Sequence, residues 1–213
     1  MNTDDLIARL SAAVPPVKRF PVGRRLIAGI LCGALVSAVY VVLAMGVRPD
    51  IDTAMHGFSF WMKWAYTISL SIAALAMTIQ LARPDSGRLR WIWVTAIPVL
   101  LLAGVGVVEL MRTPRGEWLA MWLGQSWMYC PWRVIALSLP IFVGLLWSFR
   151  QLAPTRLRAA GAAAGLAAGA FAATVYCLHC PEVSALFVLT WYSLGILLSA
   201  ALGALLGPRF LRW

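Results

Sequence analysis

Six apolar runs divide this chain, each of a length to cross a bilayer: Leu26–Val47, Phe60–Ala82, Trp91–Met111, Trp132–Phe149, Ala159–Leu178 and Ser184–Leu206. A helix rises 1.5 Å per residue, so roughly 20 apolar residues span a hydrocarbon core about 30 Å thick. Lipid offers no water to the backbone, so a spanning segment must bond its own N–H and C=O groups. Runs this long and this rich in Gly, Ala and Leu do so as helices, not as barrel strands. Only 12% of residues are charged and the mean hydropathy is +0.82, far outside the soluble globular range. The expectation is an all-α polytopic membrane protein, with six transmembrane helices in one bundle. Residues 1–22 form a tail and residues 23–213 the transmembrane domain. The fourth run is the shortest. The first follows two dozen mostly polar residues and is long enough to span, so no cleavable leader is expected.

The net charge of +10 would suggest nucleic acid in a soluble protein. Here the cations read as topology signals and lipid anchors, with no direct nucleic-acid contact. Arg48, Lys63, Arg112, Arg115 and Arg133 fall on one side of the six spans. Arg9, Lys18, Arg19, Arg24, Arg25, Arg83, Arg88, Arg90, Arg150, Arg156, Arg158, Arg209 and Arg212 fall on the other. By the positive-inside rule both termini are cytoplasmic, and an even number of spans agrees. The first, third and fifth connections then face outward, into the periplasm of a bacterium with an inner membrane.

That orientation gathers the reactive side chains on one surface. Cys130 and Cys180 lie at the outer face, Cys177 at the outer end of the fifth span, and Cys32 inside the first. His56, His179, Asp50, Asp52, Glu109, Glu117 and Glu182 are external as well. Cys177-Leu178-His179-Cys180 is formally a C-x-x-C, a spacing that can support disulfide exchange but is short and common. Cys130 and Cys180 both precede proline, which disfavours helix at the cysteine and sets each sulfur in a helix-start loop. An oxidising compartment permits a disulfide between them if their Cα atoms lie within about 7 Å. A soft metal ion would need further ligands, for which His179, Glu182 and His56 are candidates. An inert structural disulfide is the plain alternative.

Charge within a membrane is costly, which singles out Lys63 and Glu109. Each can snorkel from the outer turn of its helix, or the two can pair, with Arg133 as a further partner. No run has a central Asp, Glu, His or Lys, which argues against a proton-coupled pump or an ion transporter. Gly161, Gly165 and Gly169 share one helix face, as do Gly29 and Gly33, and Gly203 and Gly207. Such faces let backbones approach closely, within one chain or across a homodimer. Most of the 11 tryptophans sit near span ends or in the third connection, as an aromatic belt. In the tail, Thr3 can cap a short helix with Asp4 and Asp5 in its first turn. Leu6, Ile7, Leu10 and Val14 form one apolar stripe, stopped by Pro15-Pro16. Too short to be stable alone, this helix suits a membrane surface or a groove on a protein partner.

Several segments carry a family resemblance: Thr3-Asp4-Asp5-Leu6-Ile7, Phe60-Trp61-Met62-Lys63, Gly124-Gln125-Ser126-Trp127-Met128-Tyr129-Cys130 and Ala153-Pro154-Thr155. To these add the Gly-Ala-rich fifth span, His179-Cys180-Pro181-Glu182, Trp191-Tyr192 and Arg212-Trp213. In order and spacing they resemble the NrsF family, negative regulators of an extracytoplasmic-function sigma factor, sigma F. The resemblance covers essentially the whole chain. It implies an inner-membrane anti-sigma factor, not an enzyme, with six helices and no obligatory cofactor. It further implies two outward cysteines, here Cys130 and Cys180, whose response to heavy-metal or oxidative stress frees the sigma factor. A transient soft metal ion could sit on that pair. Cys177 and Cys32 lie outside the family pattern. The tail, with Asp4, Asp5, Leu6, Ile7 and Leu10, and the inner connections would hold the partner. The competing expectation is a membrane thiol oxidoreductase that passes electrons from Cys177 and Cys180 to a quinone, although a second external C-x-x-C is missing.

Overall fold

The computed structural model describes residues 2–12, 21–82, 91–149 and 156–211, and those residues are helical with no β-strand. Val14, Pro15-Pro16, Ala153-Pro154 and the cations Lys18, Arg19, Arg83, Arg88, Arg90, Arg150 and Arg212 lie outside them. In chain order the helices are α1 (Thr3–Ala12), α2 (Pro21–Tyr40), α3 (Ile51–Ala54), α4 (Phe58–Leu81) and α5 (Trp91–Arg112). They continue as α6 (Trp118–Leu123), α7 (Cys130–Phe149), α8 (Leu157–Tyr176), α9 (Ala185–Phe187) and α10 (Ser193–Phe210). A π-helical turn, Val41–Met45, extends α2, and another, Val188–Tyr192, fuses α9 to α10. Six helices are therefore long and apolar enough to cross a membrane: Gly23–Met45, α4, Trp93–Arg112, α7, α8 and Ala185–Phe210.

These spans match the six apolar runs, with one instructive shift. The fourth starts at Cys130, not Trp132, and is 20 residues long. Cys130 is helical, its N–H bonded to the Ser126 carbonyl at 2.9 Å. Pro131 is harmless there, because a first-turn residue has no intrahelical acceptor for its N–H. The expected helix-start loop at Cys130 is thus a helical first turn, whereas Cys180 does lie in a loop. In the tail, α1 begins at Thr3 and Leu6 N–H bonds the Asn2 carbonyl at 3.2 Å. The cap position is Asn2, one residue before the one expected.

Packing follows side-chain size. α8 lies against α10, α4, α7 and α2, and 67% of its apolar window is buried. α5, rich in Leu and Val, touches α4 and the start of the sixth span, with only 17% buried. Lipid is as apolar as leucine, so small residues rather than greasy ones decide which helix goes inside. A Cβ at Gly161 would strike the Gly203 carbonyl, and one at Gly203 the Gly161 carbonyl. Gly29 and Gly144 make the same mutual approach between α2 and α7. The glycine faces are thus consumed within the chain and are not free for a homodimer. Near Pro140 in α7, the Ser37 hydroxyl donates to the Leu137 carbonyl at 2.8 Å, tying α2 to α7 at the proline.

Candidate functional site

The first, third and fifth connections converge at one end of the spans, and the fifth is the hub. The chain leaves α8 in a tight turn, with the N–H groups of His179 and Cys180 both on the Tyr176 carbonyl at 3.0 Å. The segment 178–185 is then fastened to every neighbour. Arg48 N–H donates to the Leu178 carbonyl at 3.0 Å. Lys63, fully buried, donates from Nζ to the carbonyls of Cys180 at 3.0 Å and Glu182 at 2.6 Å. A buried ammonium costs several kcal/mol unless its donors are satisfied, and here two main-chain oxygens satisfy it. The Glu182 carboxylate accepts from Gln125 N–H at 2.8 Å, and from Ser126 N–H and hydroxyl at 3.1 Å each. Gly124 enables this with φ of +55°, and a Cβ there would lie 2.6 Å from the same carboxylate. Glu109 accepts from the Ser184 hydroxyl at 3.1 Å and from Ala185 N–H at 2.8 Å, at the positive end of the sixth span's dipole.

Lys63 and Glu109 therefore do not pair, and Glu109 does not reach Arg133; each binds a different part of the fifth connection. Arg133 turns to His179, Nη1 to Nε2 at 2.9 Å, while His179 Nδ1 lies 2.8 Å from the Gly46 carbonyl. A carbonyl only accepts and a guanidinium only donates, so His179 carries its proton on Nδ1 and offers Nε2 to Arg133. Arg48 grips Asp50 with two bonds, Nε at 2.8 Å and Nη2 at 2.6 Å. That hydrogen-bonded ion pair raises the Arg48 pKa and holds Asp50 below the usual carboxylate range.

The thiols sit beneath this lattice. Cys130, Cys177 and Cys180 are free and fully buried, whereas Cys32 is exposed on α2. Cys180 Sγ is 3.9 Å from the Ser126 hydroxyl and Cys177 Sγ is 4.0 Å from the Thr67 hydroxyl. Ser126 touches two of them: its carbonyl accepts the Cys130 N–H at 2.9 Å and its hydroxyl lies 3.9 Å from Cys180 Sγ. Burial pushes the Cys177 thiol up to about 11. His179 and Glu182 are close by, but their ring nitrogens and carboxylate serve the lattice. His56 is exposed in the turn after α3 and adds no side-chain bond to it. Among the described residues no group of three or more His, Cys, Asp or Glu is arranged to hold a metal ion.

The sequence gives Arg48, Ser126, Tyr176 and Tyr192 no site role of their own, because their neighbours come from other connections that no short motif encodes. Asp4, Asp5, Leu6, Ile7 and Leu10 lie on α1, where every residue is exposed.

The comparisons agree with the geometry. The chain is 38% identical over 216 residues to a protein of Azospira oryzae named "Probable anti-sigma-F factor NrsF", covering all of both chains. It is 37% identical over 217 residues to the "Anti-sigma-F factor NrsF" of Caulobacter vibrioides, again over the full length of both. No solved structure matches. The family described as "NrsF: Negative regulator of sigma F" matches residues 10–213, and the chain belongs to it.

Proposed function

We propose that this protein is a membrane anti-sigma factor that binds an extracytoplasmic-function sigma factor of the sigma F type and releases it when Cys130 and Cys180 are modified. The observation that carries this reading is the full-length match to relatives named as anti-sigma-F factors. The lattice around residues 178–185 supplies the coupling, because it joins both cysteines to all six spans. In this reading the bilayer is the bacterial inner membrane, both termini are cytoplasmic, and the cysteine-bearing end faces the periplasm. The distribution of Lys and Arg supports that orientation.

Two thiols without a third ligand suit thiol oxidation, or linear coordination of a soft cation in a heavy-metal stress. Either event converts two separate sulfurs into one bridged unit and shifts the first turn of α7 against the fifth connection. An external ligand weakens partner binding only by favouring the low-affinity state of the whole protein. On the cytoplasmic side, α1 offers exposed Leu6, Ile7 and Leu10 beside Asp4 and Asp5, a surface fit for a groove on the sigma factor.

The test is retention of the sigma factor by detergent-solubilised protein, for wild type, for a form lacking residues 2–12 and for Cys130→Ser/Cys180→Ser. Wild type should retain it, the truncated form should lose it, and the double serine variant should retain it after oxidant or soft-metal treatment that strips it from wild type. Release from the serine variant under the same treatment would overturn the sensor assignment. Failure of wild type to retain any sigma factor would overturn the function.

A further inference from the structure

α4 and α5 run side by side with a gap between them. On α5, Pro98, Leu102, Val105, Glu109 and Arg112 recur at three- and four-residue steps and so share one face. Phe58, Met62, Ala65 and Ser69 do the same on α4. Ala65 and Ser69 are too small to fill the space opposite. Pro98, inside α5, has no N–H for the Val94 carbonyl and disfavours a straight helix there. Two hollows result, of about 470 and 260 Å³, and Phe58, Met62 and Val105 line both. They are one groove, and its rim residues Phe58, Trp61 and Leu101 are exposed.

The groove is polar at one end only. Tyr66 and Ser69 are the hydroxyls of its inner stretch, and both are occupied. The Tyr66 hydroxyl pairs with the Ser193 hydroxyl at 2.6 Å, and the Ser69 hydroxyl donates to the Ala65 carbonyl at 2.6 Å. The mouth holds Ser59, Glu109, Arg112 and Thr113, beside Val183 and Ala185 of the fifth connection. Glu109 already accepts from the Ser184 hydroxyl and from the N–H groups of Ala185 and Leu186. Arg112 has no hydrogen bond or ion pair among the described residues. Arg115 and Glu117, on the turn beyond, do not line the mouth. The one uncommitted charge there is positive.

Length narrows the choice of occupant. At 1.5 Å per residue, Pro98 and Arg112 lie about 21 Å apart along the helix axis. One bilayer leaflet is about 15 Å of hydrocarbon and about 20–22 Å with its headgroup layer. The groove is therefore one leaflet long, apolar where acyl chains lie and cationic where phosphates lie.

We propose that this groove is a binding site for one anionic phospholipid of the leaflet on the thiol side, with an acyl chain along Met62, Leu102 and Val105 and the phosphate on Arg112. A guanidinium matches phosphate oxygens with two parallel N–H bonds. An ethanolamine headgroup would bring a second cation to a mouth whose only carboxylate is engaged, so the site selects net negative charge. The assignment does not depend on the sigma-factor reading.

The test is native mass spectrometry of the purified full-length protein, titrated in detergent with phosphatidylglycerol, phosphatidylethanolamine or inorganic phosphate. Wild type should take up one phosphatidylglycerol, about tenfold more tightly than phosphatidylethanolamine, and no inorganic phosphate. Arg112→Gln should lower phosphatidylglycerol to the phosphatidylethanolamine level, and Arg112→Lys should keep most of the preference. Arg115→Gln should leave it unchanged. Ser69→Phe, which fills the groove, should weaken both lipids about tenfold or more. Should Ser69→Phe fail to fold, Leu101→Trp at the exposed rim serves as the block. Equal binding of the two lipids, or binding indifferent to Arg112→Gln or to the block, would overturn the proposal. So would inorganic phosphate held as tightly as the lipid, or a dimer mass that excludes lipid and so places a second copy in the groove.

Discussion

The seam between α8 and α10 and the polar lattice around residues 178–185 hold the same helices together by opposite means. In the seam, Gly161 and Gly203 let two backbones touch, and stability comes from having no side chain at all. In the lattice, Lys63, Glu109, Glu182 and His179 reach across to main-chain atoms, and stability comes from pairing buried charge with main-chain donors and acceptors. The seam tolerates polar change nearby but no added volume. The lattice depends on each partner being kept. A membrane protein can therefore keep one end rigid by packing while it makes the other end chemically addressable.

Five substitutions at four positions test that contrast, all read by thermal unfolding in detergent. Lys63→Met keeps the volume but strands two buried carbonyls, and should destabilise by about 1–3 kcal/mol, the cost of an unsatisfied buried acceptor. A loss below about 1 kcal/mol, the scale of an ordinary hydrogen bond, would show that the lattice is not a stabilising unit. Gly203→Val forces α10 off α8 and should cost about 1–3 kcal/mol or more. Gly203→Ser, polar but smaller, should cost less, and the reverse order would show that volume does not rule the seam. Glu182→Gln keeps the shape but loses the carboxylate charge before three donors, for an expected loss of about 1–3 kcal/mol. Asp50→Asn should have the smallest effect, a slight loss at neutral pH that disappears in acid. The folded pKa of Asp50 lies below its unfolded value of about 3.9, so its contribution is complete above that pH and fades as pH falls through the folded value. The variant should lose that acid limb and unfold alike to wild type at low pH.

The seam was legible in the sequence and most of the lattice was not, for a physical reason. Four-residue spacing of glycines is a local pattern, and it marked α8, α10 and α2 as packing faces. It did not reveal that Gly29 meets Gly144, because Gly144 stands alone in α7. Lys63 and Glu109 stood out by their cost in lipid, but not their partners, since main-chain carbonyls and N–H groups recur along the whole chain. Cys130 and Cys180 were picked as a pair; both are buried and each touches Ser126. Cys130 was expected in a loop, because the residue before a proline resists helix; the preceding turn of Ser126 overrode that preference. Tyr192 depends on a π-helical turn, whose phase shift no apolar periodicity announces.

The thin burial of α5 carries a consequence for how this protein comes apart under load. Among the described residues its main contacts are with α4 and with the start of the sixth span, where Glu109 meets Ser184 and Ala185. Pulled from the C-terminal end, α10 and α8 should leave the bilayer as one event, since neither backbone can slide past the other without colliding. Once the sixth span is gone, α5 has lost that anchor and should follow at low force. The force trace would then be a single tall peak followed by a soft tail, a mechanical signature written by where the glycines are.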